Sequence, residues 1–168
     1  ETRRPVGRSG LLAVLRVFTI ASLIAATGSG CAKNPVTGAN QMILMSTDDE
    51  RRIDEEAAKQ TEEQLGLVED PELTAYVNEL GQALAANSPR QDVRYSFHVI
   101  AMDEPNAFAL PGGHIYVSRG LLALTNSEAE LANVLGHEIG HVAARHAAQR
   151  DALMKAMQVL NVIGMVGV

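Results

Sequence analysis

The chain has 168 residues, enough for one domain with a real core, and a formal charge of −6. Four of its 14 Lys and Arg and one of its 20 acids lie in residues 1–31, so the remainder carries 10 basic against 19 acidic side chains, which argues against a nucleic-acid partner. A single Cys excludes an internal disulfide framework, and no internal repeat is visible.

Residues 1–31 read as an export signal. Arg3, Arg4 and Arg8 make a basic start, and the apolar stretch from Leu11 to Ala26 is interrupted by Arg16, leaving an uncharged core too short to span a bilayer. Thr27-Gly28-Ser29-Gly30-Cys31 resembles a bacterial lipoprotein cleavage site, in which small residues precede a lipidated Cys; it differs in Gly28, where such sites usually carry Leu. Cys31 is the candidate lipidation site, and ordinary signal removal with an incidental Cys is the alternative. Residues 32–47 read as a tether, with the turn-rich Asn34-Pro35-Val36-Thr37-Gly38 near its start.

The domain proper is expected over 48–168. Asp48 to Leu65 reads as a charged helix with Thr47 and Glu50 as a capping box, and its thin apolar stripe predicts a largely solvated helix. Asp70-Pro71 starts a second helix, whose buried face is Leu73, Val77, Leu80 and Leu84, and Asn87-Ser88-Pro89 ends it. Val93 to Ile100 alternates as a half-buried strand with His98 on its polar face. Ala107–Leu110 and His114–Ser118 flank Pro111-Gly112-Gly113 and predict a hairpin; Arg119–Leu124 is a short helix. His98 and His114 are read as surface and loop residues rather than metal ligands.

Ser127 and Glu130 fit a second capping box, and Leu131, Val134, Leu135, Val142 and Ala143 recur at helical intervals, which predicts one helix from about Glu128 to about Arg150. It carries His137-Glu138-Ile139-Gly140-His141. Two imidazoles at i and i+4 lie on one helix face and can share a zinc ion, while Glu138, at the edge of that face, can take a proton from an attacking water. A chance match is expected in roughly one chain in a hundred of this length, or fewer. Gly136 and Gly140 each cost about 1 kcal/mol in a helix, which suggests close packing or room for a substrate. His146, nine residues past His137, falls about 180° away on an unbroken helix and is read as a packing or hydrogen-bonding residue. Residues 152–168 predict a helix buried on most sides, with a membrane-surface role as the alternative.

These blocks together resemble a known family. Asn34-Pro35-Val36-Thr37-Gly38 after the Cys, Asn106-Ala107-Phe108-Ala109-Leu110-Pro111-Gly112-Gly113 before a strand, and Glu128-Ala129-Glu130-Leu131 leading to Gly136-His137-Glu138-Ile139-Gly140-His141-Val142 are similar to the gluzincin-type zinc endopeptidases related to the CAAX prenyl protease and the membrane heat-shock protease. Within them the chain looks like the exported bacterial lipoprotein branch, and the resemblance runs from residue 31 to about 150.

The resemblance implies an α+β, zincin-like domain, mainly helical with a small antiparallel sheet and incomplete at its C-terminus. It implies zinc on His137 and His141, Glu138 as general base, a third ligand (a Glu) on a helix beyond residue 168, and an edge strand within Asn106–Ser118 that receives extended substrate. It further implies a periplasmic endopeptidase of misfolded or misassembled envelope proteins, held at the outer membrane by lipid, in a branch that often carries a helical-repeat domain. With two ligands the segment alone is expected to be inactive and is read as the N-terminal part of the peptidase domain. The rivals are a chaperone-like envelope binding protein with an inactive or occluded site, and a structural lipoprotein with a chance motif.

Overall fold

The computed structural model of the chain describes residues 31–166. The export-signal reading of residues 1–30 lies outside the described residues. Strands β1 (Cys31–Lys33) and β2 (Asn40–Met42) pair antiparallel, Lys33 opposite Asn40. The turn expected between them is built by Asn34, whose Oδ1 accepts from Val36 N–H (2.7 Å) and Thr37 N–H (3.1 Å).

Helix α1 (Thr47–Leu65) starts one residue earlier than the sequence suggests. Its capping box is Ser46 with Asp49, in which Ser46 Oγ accepts from Asp49 N–H (3.1 Å) and Asp49 accepts from Ser46 N–H (3.3 Å). That frees Glu50 for another task, described below. Helix α2 (Pro71–Ala85) begins as predicted, with Asp70 accepting from Leu73 N–H (3.0 Å) and Pro71 at the first position.

The sheet contains β3 (Ser96–Ile100), β4 (Ala107–Ala109) and β5 (His114–Ser118) in the order β3-β5-β4. The hairpin β4–β5 is antiparallel, as expected, but β3 pairs with β5 in parallel, so the sheet is mixed rather than antiparallel. The cause is the connection 101–106, which carries the chain past the central position so that β5 returns between its neighbours. Ser118 pins that connection: its Oγ accepts from Asn106 N–H (2.9 Å) and donates to Glu104 O (2.8 Å). β4 is left as an edge strand.

Helices α3 (Arg119–Leu124), α4 (Glu128–Ala143) and α5 (His146–Val166) complete the α+β domain. Val77, Phe97, Val99, Ile115, Val117, Leu131, Leu135, Ile139 and Val142 form the main core between α2, α4 and one sheet face. Leu135 is fully buried, so its truncation to Ala costs about 2–5 kcal/mol. Gly81 lets α2 approach closely, since a Cβ there would sit 2.4 Å from the Phe97 ring. The opposite sheet face holds a smaller cluster of Ala58, Ile100 and Tyr116, so α1 lies on that face while most of its residues stay exposed, as its thin apolar stripe predicts. Its buried residues are Glu50, Asp54 and Ala58, two of them acids.

Helix α5 also departs from expectation. Leu153, Met154 and Met157 are exposed, whereas the apolar run predicted burial on most sides. No described helix is long and apolar enough to cross a membrane.

Candidate metal centre

Helix α4 carries the motif and is fixed at both ends. At its start Ser127 Oγ accepts from Glu130 N–H (3.3 Å), while the Glu130 carboxylate takes Asn126 N–H (2.8 Å), one residue outside the expected box. Leu131, Leu135, Ile139 and Val142 bury the inner face. The period of 3.6 residues then turns His137 and His141 outward together.

Their Nε2 atoms face each other at 3.0 Å, with ring planes 89° apart. A zinc ion bonded tetrahedrally to both would need about 3.4 Å between nitrogens at bond lengths near 2.1 Å. Imidazole is a suitable donor for zinc, so this pair fits as two of its ligands. Among the described residues no group of three or more His, Cys, Asp or Glu is arranged to hold an ion.

Glu138, next to His137 in the motif, is buried and only 8 % exposed. It lines a cleft of about 220 Å³ together with His141. One wall of this cleft is the edge strand β4 with Leu110 and Pro111; Glu50 and Arg145 are on its other side. A buried carboxylate, an imidazole and an unpaired strand edge therefore share one opening.

The predicted helix from Glu128 to Arg150 does not run straight. It ends at Ala143, Arg145 takes a left-handed conformation (φ +56°), and α5 restarts at His146. Neither Gly nor Pro marks the break. Arg145 is held by Glu50 Oε1 (3.1 Å from its Nε) and by Met45 O (2.7 Å from its Nη2). The turn brings His146 back against His141, Nδ1 to Nδ1 at 2.6 Å, instead of 180° away. Partial burial and then the neighbouring His141 hold the His146 imidazole below the ordinary histidine range.

Glu50 itself is 1 % exposed and pairs with Arg90, which is also buried; Arg90 Nη1 donates to Val142 O (3.2 Å) in the last turn of α4. Its reading as a helix cap is corrected accordingly. Gly136 and Gly140 are open: among the described residues a Cβ at either meets nothing within 4 Å, which leaves room for a substrate as the reason of the two weighed.

His98 and His114 belong elsewhere. Asp54, 2 % exposed, accepts from Gly112 N–H (2.8 Å), His114 N–H (3.3 Å) and the His114 ring. His98 packs against both His114 and Tyr116, which also face each other, and is half-buried rather than a surface residue. Cys31 is the first residue of β1.

The comparisons with known proteins follow the same residues. The model of peptidase family M48 matches residues 71–168. The chain is 34% identical over 133 residues to a beta-barrel assembly-enhancing protease of Yersinia pestis, covering 79% of this chain and 27% of that protein. It is 34% identical over 126 residues to the mitochondrial metalloendopeptidase OMA1 of Schizosaccharomyces pombe, covering 73% and 37%. Against the beta-barrel assembly-enhancing protease of Escherichia coli (strain K12), 27% identity extends over 164 residues, covering 98% and 34%. The chain thus spans only 27% to 37% of the length of these relatives.

Proposed function

The chain belongs to peptidase family M48, and on that premise we propose that it is the motif-bearing part of a zinc-dependent endopeptidase in which His137 and His141 bind the metal and Glu138 is the general base. The observation that carries this reading is the pair of facing Nε2 atoms, 3.0 Å apart, beside the buried Glu138 carboxylate and the edge of β4. A third protein ligand comes from outside residues 31–166, since among the described residues none joins the pair.

Zinc, when bound, polarises the scissile carbonyl and acidifies water. The chain's residues do the rest. The unpaired edge of β4 receives the substrate main chain by strand addition, which holds the peptide extended along the cleft. Glu138 takes a proton from the attacking water as the C–O bond forms. It returns a proton to the departing amine as the C–N bond breaks, which regenerates the carboxylate. Burial of Glu138 keeps competing solvent away from this proton transfer.

The substrates we propose are misfolded or misassembled envelope proteins, and the setting is the periplasm, with the protein anchored to the outer membrane through lipid on Cys31. The beta-barrel assembly-enhancing role that names the bacterial relatives and the signal-like segment ahead of the Cys support this reading. Mass spectrometry of the mature N-terminal peptide tests the anchor; an unmodified Cys31 removes it.

The mechanism is tested by Glu138→Gln in the intact protein. The variant is nearly isosteric and is not a metal ligand, so zinc content stays at the wild-type level. Cleavage of an unfolded substrate such as casein falls by about 10²-fold or more. Cleavage at the wild-type rate rejects Glu138 as the base; binding of the substrate by wild type without cleavage favours the holding-protein alternative.

A further inference from the structure

The break between α4 and α5 is costly and unexplained by packing alone. A non-glycine residue held in the left-handed region is strained, because its Cβ crowds the following carbonyl oxygen. Here the residue is Arg145, and its guanidinium is tied to Glu50 and to Met45 O. Arg90, 3 % exposed, completes the buried cluster and reaches the end of α4 through Val142 O. None of these groups lies among the reacting atoms proposed above. Their joint product is the return of His146 onto His141.

The contact itself constrains where protons sit. Two imidazole nitrogens 2.6 Å apart require one proton between them. A histidine that gives Nε2 to a metal is neutral and carries its proton on Nδ1. His141 presents Nε2 to His137 and Nδ1 to His146. Its Nδ1–H is then the donor, and the nitrogen facing it on His146 is the acceptor. The same geometry separates His146 from the ion, because it meets the nitrogen of His141 opposite the one that faces His137.

We propose that His146 is a positioning residue for the metal ligand His141: it accepts the His141 Nδ1–H, fixes that tautomer and ring orientation, and so aims Nε2 at the ion. Such partners of a ligating imidazole raise its basicity and hold its angle. The buried Glu50–Arg90–Arg145 cluster serves this contact by setting the backbone turn that delivers His146. The inference rests on the reading of His137 and His141 as metal ligands.

The test uses the intact protein and zinc alone, with affinity measured by competition against a chromophoric chelator. Wild type is compared with His146→Ala, His146→Asn and the double variant His137→Ala/His141→Ala. Asn places an oxygen acceptor close to where His carries Nδ1. His146→Ala weakens zinc binding by about tenfold or more, and His146→Asn restores most of the loss. In the zinc-loaded wild type, 15N spectra find His141 protonated at Nδ1 and His146 at Nε2. Wild-type affinity in His146→Ala, or equal weakness of the Ala and Asn variants, overturns the positioning role. So does an X-ray absorption spectrum in which both variants lose one zinc-bound imidazole, since His146 is then a ligand. If the double variant keeps its zinc, it is the metal pair that fails. His146 is exposed, so its variants are expected to fold, and circular dichroism checks that they do.

Discussion

Two histidine pairings in this domain are built oppositely. His114 is closed: Asp54 behind it takes its ring, its backbone N–H and the N–H of Gly112, and the carboxylate is 2 % exposed. His141 is open: its Nε2 faces another imidazole at 3.0 Å on a solvent-facing side of α4. In the first case each polar group has its partner within the fold, and the cluster welds α1 to the β4–β5 turn. In the second, two imidazole nitrogens converge with no carboxylate among the described residues bonded to either ring. A histidine tied to a buried carboxylate reads as architecture, and two imidazoles converging on an open helix face read as a place for an ion. Residue type and exposure alone would not separate them, since both rings are only partly buried.

The sharpest way to break this contrast is to delete both proposed ligands. His137→Ala/His141→Ala should abolish stoichiometric zinc by elemental analysis while leaving the apo-protein's urea midpoint nearly unchanged, because neither side chain is part of the core. The converse variant, Asp54→Ala, should leave the metal pair in place. It should cost about 3 kcal/mol or more by urea unfolding, because it strands two backbone N–H groups and the His114 ring. Comparable losses of zinc from the two variants would erase the distinction.

A smaller effect appears in the pH dependence of stability. The hydrogen bond to Asp54, opposed by burial, raises the His114 pKa above the ordinary histidine value. Its contribution is therefore complete below about pH 6.5 and is lost as pH climbs through the raised folded-state value. His98 works in the other direction. Burial, followed by the neighbouring His114, lowers its pKa, so its contribution is complete above about pH 6.5 and is lost as pH falls towards the lowered value. Glu62 and Asp54 face both rings, and Glu55 faces His114. Urea midpoints measured from pH 5 to 8 should flatten on the alkaline side in His114→Asn and on the acid side in His98→Asn. Parallel curves for wild type and both variants would contradict the assignment.

The glycines give the smallest and cleanest comparison. At Gly112 a Cβ would sit 2.7 Å from Asp54 Cβ, so Gly112→Ala should destabilise. Gly136→Ala and Gly140→Ala, in open space on α4, should each stabilise by up to about 1 kcal/mol through helix propensity alone. Thermal melts of the three variants should therefore move in opposite directions.

Much of this was legible in the sequence because it is local. The i, i+4 spacing of His137 and His141, the Asp70-Pro71 helix start and the β4–β5 hairpin each depend on residues a few positions apart. The break at Arg145 was not legible, since Ala144-Arg145 contains no residue that ends a helix. What ends it is Glu50, 95 positions upstream. The two acids that α1 buries were hidden for a related reason. Glu50 and Asp54 look like surface acids until their distant partners, Arg90, Arg145 and His114, are known. The sheet's mixed sense was hidden likewise in a six-residue connection whose path the alternation of β3 does not encode.

The junction at Arg145 also sets an order of events in time. Its two anchors, Glu50 and Met45 O, are 95 and 100 residues away along the chain. Closing so long a loop is slow relative to forming a helix turn. Before α1 docks, local preference favours a straight rod through Ala144, with His146 turned away from His141. The finished histidine arrangement is then among the last contacts to form. An incompletely folded chain would present the two imidazoles of α4 without the His146 contact, so the proposed metal site matures only after the long-range folding is done.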